Sequence, residues 1–362
     1  MEIKEIHYPI LEYTIANKEC DRFASIRTPF YSLVRLSENW VIACGGGGSL
    51  KSGVLNSIIL FKCGPANNYK LQQTDVFYLE EECPTQISII SKSNFIVTTF
   101  TKVYTFNFNG KKIVQLRCLP SSLTENDSET LHSTYQSGKA LITFTSNANI
   151  LYDSRMFKIK TPVNGSLNCS TQIKNGSIYF SIGKNPKIYY IENGSTEVTE
   201  KELPSAYNGC FIHRMQACEN LIFAAVYKNR NAKLIVLDTE LCIIGEYDLG
   251  NCGVNAINVC DKALVVAKDS GELLVLTYKT NGHRILMKKF NDIKNIFEGG
   301  IITAVNIERS GFDDFFVTSS SIDGAIASHF VYHKNQDRRK LLVAIAVASA
   351  TLFQILGQKL TQ

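Results

Sequence analysis

Seven segments of this chain share one internal form, and that recurrence limits the fold more than any other feature. The segments are "WVIACGGGG" from residue 40, "NFIVTTFTKVYTFNF" from 94, "KALITFTSNANILYD" from 139, "GSIYFSIGKNPKIYYIEN" from 176, "NLIFAAVYKNRNAKLIVLDTE" from 220, "KALVVAKDSGELLVLTY" from 262 and "DFFVTSSSIDGAIASHFV" from 314. Most consist of a β-branched or aromatic run ending in small or hydroxylated residues, a tight polar turn, and a second such run, which is the signature of a hairpin. Starts recur roughly every 40 to 50 residues, the period of a four-stranded propeller blade. "AKDSGELLVL" and "SSSIDGAIAS" have the form of the middle hairpin of a WD-repeat blade. The pattern predicts an all-β chain, a seven-bladed β-propeller of degenerate WD-repeat type. A pair of β-sandwiches would account for the strands but not for the period.

The Trp-Asp signature is absent, since the single tryptophan, Trp40, precedes Val41. An opening strand in "IHYPILEYTI" is placed to pair with the last blade and close the ring, which would remove the exposed edge an open sheet leaves. With 45% hydrophobic and 20% charged residues, the 362-residue chain has globular composition and ample material for a core. Its 38 basic and 33 acidic residues are dispersed, giving +5 overall, too mild a bias to suggest a nucleic-acid partner. Eleven cysteines without a Cys-x-x-Cys pair read as buried thiols of a reducing compartment. The charged start "MEIKEIHYPI" lacks the apolar core of a signal peptide. Asn-x-Ser/Thr triplets at Asn126, Asn164, Asn168, Asn175 and Asn193 are of a kind that arises by chance in Asn- and Ser-rich turns.

Helical character is concentrated at the end, where Leu341 to Gly357 run seventeen residues without a charge. As a helix this run spans about 25 Å, near the lower limit for crossing a bilayer. His333, Lys334, Arg338, Arg339 and Lys340 precede it and only Lys359 follows, which directs the preceding domain to the cytosol. The expected organisation is a cytosolic propeller over 1–333, a basic linker over 334–340, a membrane anchor over 341–357 and a short lumenal tail over 358–362. A helix packed on the propeller is the alternative. So short a span suits a thin bilayer such as that of the endoplasmic reticulum.

One stretch breaks the hairpin pattern. "GGGGSLKSGVLN", Gly45 to Asn56, approaches a phosphate-binding loop, but Leu50 stands where that loop needs glycine, and "SIILFKC" after it has the composition of a strand, not a helix. The glycines supply backbone freedom and accessible carbonyls. The residues resemble the loop in the first blade of the endoplasmic-reticulum guanine nucleotide exchange factors for the small GTPase that starts COPII coat assembly. That family includes the prolactin regulatory element-binding protein of animals. The match comprises Gly45, Gly46, Gly47, Gly48, Ser49, Lys51, Ser52, Gly53 and Asn56, about a dozen residues of the chain, together with the order of propeller and anchor.

The resemblance implies that this loop projects against the GTPase and holds a potassium ion through oxygen ligands, and that no organic cofactor takes part. It implies that Asn56 carries the exchange function, through hydrogen bonds to the backbone of the GTPase switch. It also implies a single-pass protein of the endoplasmic-reticulum membrane that regulates a GTPase and is not itself an enzyme. The alternative is a membrane-anchored propeller scaffold that recruits cytosolic proteins and uses the glycine loop only as a connection.

No enzyme constellation competes. His329 and His333 approach metal spacing but have no glutamate between them, and no Gly-x-Ser-x-Gly is present. The pairs Glu81-Glu82 and Asp313-Asp314 read as solvated loop residues, "LTENDSET" near residues 123 to 130 as an exposed insertion, and Cys44 as a buried thiol.

Overall fold

The computed structural model describes residues 6–7, 11–12, 28–37, 39–48, 54–63, 71–120, 129–152, 157–159, 165–294, 296–297, 300–310 and 314–331. Among them the strands form seven antiparallel sheets, six laid down in chain order and the seventh completed by strands from the N-terminal segment. The innermost strands are Phe30–Ser37, Pro84–Ile89, Leu131–Ser137, Leu167–Gln172, Phe211–Cys218, Val254–Cys260 and Ile302–Arg309. Each neighbours the next and the last neighbours the first, so the sheets are blades 1 to 7 of a closed propeller. The hairpin segments of the sequence supply the second and third strands, for example Ala263–Lys268 with Leu273–Asn281 in blade 6.

These middle strands are almost wholly apolar because both of their faces are covered. In blade 1, Val41 and Ala43 pack with Phe316 and Ile326 of blade 7, while Ile42 and Cys44 pack with Phe95, Val97 and Phe106 of blade 2. A strand sandwiched between two sheets loses the alternation of a half-exposed one. Each fully buried Phe or Ile contributes roughly 1.5 to 3 kcal/mol by leaving water. The interface of blades 2 and 3 is thinner, with Ile96, Val103, Leu131 and Leu151 as its buried apolar cluster. There a chain of hydroxyls adds polar contacts, Thr98 donating to Thr134 at 2.9 Å and Thr134 lying 3.0 Å from Thr143.

The inner strands follow a different rule. Each is interrupted near its start by a β-bulge, and the extra residues are Tyr31, Thr85, His132, Asn168, His213, Asn255 and Thr303. A bulge bends its strand and frees one residue from the ladder. Several of the freed side chains latch one blade to the next: Thr85 Oγ1 donates to His132 O at 2.9 Å, Asn168 Nδ2 to Ile212 O at 2.9 Å, and Thr303 Oγ1 to Phe30 O.

The ring closes as the N-terminal sequence suggests. Ile6 pairs with Phe330 and His7 with His329, and further along the same strand Leu11 pairs with Ile326 and Glu12 with Ala325. The first residues of the chain thereby cover the outer edge of its last blade. No helix among the described residues is long and apolar enough to cross a membrane, and the anchor expected over 341–357 lies outside them, as does the linker before it. The cysteines depart from expectation at five described positions, of which Cys218, Cys252 and Cys260 are half-buried. Cys118 and Cys242 are exposed, because Cys118 sits on the outer strand Ile113–Pro120 and Cys242 in the turn before the outer strand Ile243–Asn251, where no further sheet covers them.

Candidate functional site

The glycine stretch forms the turn between the middle strands of blade 1, Trp40–Gly45 and Ser57–Lys62. This turn occupies residues 46–56, eleven in all, whereas the equivalent turns of blades 2 to 7 take two to four residues. A strand, not a helix, follows it, so the helix N-terminus on which a phosphate-binding loop depends is missing. The loop therefore stands out on the propeller by its length as well as its composition.

Its root is tightly built. Gly45 pairs with Ser57 at the end of the ladder. The Gly46 amide donates to Pro29 O at 3.0 Å, and the Tyr31 hydroxyl donates to Gly46 O at 2.8 Å. A Cβ on Gly46 would lie 1.9 Å from Asn56 Oδ1, so no larger residue fits without displacing that side chain. Gly48 adopts φ +84°, a left-handed conformation that glycine reaches at little cost. The first two glycines are buried and serve close packing, which differs from the expectation of a uniformly accessible run. Ser49, Lys51, Ser52 and Gly53 lie outside the described residues.

Asn56 is the hub of this root and is 1% exposed. Its Oδ1 accepts the Gly48 amide at 3.2 Å, and its Nδ2 donates to Gly48 O at 3.1 Å and to Glu80 O at 2.9 Å. Its own carbonyl accepts the Leu79 amide at 2.9 Å. Both donors of the amide are engaged within the chain, binding the two ends of the loop to each other and to the connection between blades 1 and 2. The sequence resemblance led us to expect an amide turned toward a partner; the described contacts turn it inward. Glu80, held at φ 54°, and Tyr31 belong to the same root. Neither could be found from sequence, because they sit 24 and 15 residues from their partners and carry no motif.

The ionisable groups nearby are set for structure. Burial, reinforced by Cys83, pushes the Tyr31 hydroxyl above its ordinary range, so it stays a donor to Gly46. Burial likewise raises the Cys44 and Cys83 thiols, and neither has the thiolate character of a nucleophile. Glu82 is not the solvated carboxylate expected. Burial pushes it up, but hydrogen bonds from Thr99, Thr101 and Lys102 and the charge of Lys102 more than offset this, leaving it below the usual range. Among the described residues no cluster of His, Cys, Asp or Glu has the makings of a metal site. What the root offers instead is neutral oxygen: the carbonyls of Gly46 and Gly48 and Asn56 Oδ1. Oxygens of this kind suit a potassium ion, since they replace its hydration shell without a buried countercharge.

The face that carries the loop also carries exposed apolar side chains. Phe100 sits in the middle turn of blade 2 and Ile322 in that of blade 7; Ile301 precedes the inner strand of blade 7, and Tyr31 begins that of blade 1. Ile322 and Ile301 are joined by a backbone hydrogen bond of 3.0 Å. Blades 7, 1 and 2 are consecutive around the ring, so these residues flank the glycine loop on both sides.

By sequence the chain matches no family model and no curated protein. Its likeness is to solved propellers. A streptogramin B lyase superposes with a TM-score of 0.62 at 11% identity, covering 91% of this chain and 98% of that one. The C-terminal WD40 domain of Sif2 superposes with a TM-score of 0.56 at 9% identity, covering 85% and 97%. Raptor of Chaetomium thermophilum gives 0.61 at 11% identity over 84% of this chain, which spans only 28% of Raptor. The likeness agrees with the sheet topology on the architecture alone: this chain folds as a seven-bladed β-propeller.

Proposed function

We propose that this protein is a guanine nucleotide exchange factor, anchored in the endoplasmic-reticulum membrane by residues 341–357, that acts on the small GTPase initiating COPII coat assembly. The observation that carries the reading is the blade 1 loop. It is the one long middle turn among the described blades, it has a root fixed by Asn56, and its sequence resembles the loop of such exchange factors. The apolar side chains of Tyr31, Phe100, Ile301 and Ile322 beside it suit a protein partner.

Exchange requires no covalent chemistry of the propeller. A factor that binds the nucleotide-free GTPase more tightly than the loaded one shifts the equilibrium toward release, and abundant GTP then refills the site. A thousandfold acceleration needs about 4 kcal/mol of preferential stabilisation of the open state. In this scheme the residues beyond Gly48 press on the GTPase, and Asn56 acts as a positioning residue that keeps their frame closed. A potassium ion at the loop would be held by the Gly46 and Gly48 carbonyls and Asn56 Oδ1, and would supply a positive charge at the contact.

The test is the release of a fluorescent guanine nucleotide from the COPII-initiating GTPase, measured with the detergent-solubilised full chain in potassium and in sodium buffer. Acceleration that depends on potassium and disappears in Asn56→Ala is the expected result. No acceleration by a folded protein acting on a competent GTPase would reject exchange and leave the recruiting scaffold.

A further inference from the structure

The inner strands enclose a cavity of about 500 Å³ along the axis of the ring, within the range of small-molecule sites. Its wall is polar, with Thr85, Gln86, Asn168, Ser170 and Asn258 among the lining residues, and no described lining residue is an aspartate or glutamate. One permanent charge faces it, Arg214. The positions that follow the bulge in the other inner strands are Ser32, Gln86, Ser133, Cys169, Ala256 and Ala304, all uncharged. Arg214 is held in place by the chain itself, Nε donating to Asn255 O at 2.7 Å and Nη1 to His213 O at 3.1 Å. Among the described residues no carboxylate forms an ion pair with it.

His132 lines the same cavity, although its Nδ1 is turned away from open space and has no hydrogen-bond partner among the described residues. Burial first and the charge of Arg214 second push this imidazole down to about 4. A guanidinium without a countercharge in a wall free of acids is an attractive potential for an anion. What answers that potential is a ligand that accepts hydrogen bonds and carries negative charge.

We propose that the axial cavity binds a small oxyanion, a phosphate- or carboxylate-bearing molecule, held by the Arg214 guanidinium. Guanidinium matches either group through paired N–H donors, and those charge-assisted bonds are the strong ones. The site is separate from the glycine loop and does not rest on the exchange reading.

The detergent-solubilised full chain would be titrated with inorganic phosphate and, separately, with citrate, at constant ionic strength against sodium chloride, following thermal stability and heat of binding. We expect saturable stabilisation by at least one of the two, absent with chloride, and weakened by about tenfold or more in Arg214→Gln. The stronger of the two arms identifies the phosphate or carboxylate source. No saturation with either anion, equal stabilisation by chloride, or undiminished binding by Arg214→Gln would overturn the proposal. Should that variant not fold, crystals grown with selenate give the answer without mutation. An anomalous peak within hydrogen-bond distance of Arg214 supports the site, and selenate bound only elsewhere or nowhere rejects it. Displacement of phosphate by a poly-glutamate peptide at far lower concentration would reject the small-molecule ligand in favour of a polypeptide segment.

Discussion

Gly46 and Asn56 occupy adjoining space, and each limits what the other position tolerates. A methyl group on Gly46 meets Asn56 Oδ1 at 1.9 Å, so Gly46→Ala should expel the amide from its pocket and strand the Gly48 and Glu80 carbonyls. We expect a loss of roughly 1 to 3 kcal/mol in urea unfolding, together with loss of nucleotide exchange. The second prediction concerns acid. His132 and His213 are both lowered to about 4, by burial and then by Arg214. Below about 6.5 the unfolded chain takes up protons on these imidazoles that the folded chain refuses, so stability is complete above that pH and falls as the pH drops toward about 4. For His132 the loss between pH 7.5 and pH 5 should be about 2 kcal/mol; His213 is less enclosed and should contribute less. Unfolding midpoints at the two pH values check this, and His132→Gln should flatten the dependence.

At the scale of elements, the middle hairpins were legible in the sequence and the inner strands were not. Strands such as Leu264–Ala267 or Ile222–Val226 are apolar throughout because blades cover both faces, and short polar turns mark their ends. The inner strands "LHSTYQS", "LNCSTQ" and "FIHRMQAC" show neither an apolar run nor strict alternation. Their bulges interrupt the two-residue period, and their polar side chains serve hydrogen bonds between blades that no local pattern announces. The same reason hid the site's wider frame: the glycines and Asn56 form a motif, whereas Pro29, Tyr31 and Glu80 reach the loop only through the ring. Blade 1 also permits a test that separates loop from scaffold. Replacing residues 46–56 with a two-residue Asn-Gly turn, of the length found in blades 2 and 5, should retain the propeller. We expect a melting temperature within about 5 °C of the parent and no exchange activity; a collapsed or aggregated product would show that the loop is part of the core.

For the molecule as a whole, the seam is at blade 7. Three hydroxyls buried there, those of Thr318, Ser319 and Ser328, have no hydrogen-bond partner among the described residues, a polar cost left unmet inside the blade. Among the described residues its outer edge is covered by the pairing of residues 6–7 and 11–12 with Ala325–Val331. Removing residues 1–12 should therefore raise amide exchange and proteolysis in blade 7 before any other blade, a result readable by mass spectrometry. Uniform loosening of all blades would contradict a local seam. This seam also bears on how the protein is made. The strand that completes the ring leaves the ribosome some three hundred residues before its partner. At ordinary rates of synthesis that is a wait of roughly fifteen seconds to a minute. Until then the N-terminal strand has no partner to pair with, so closure of the ring is a late step in the making of the fold.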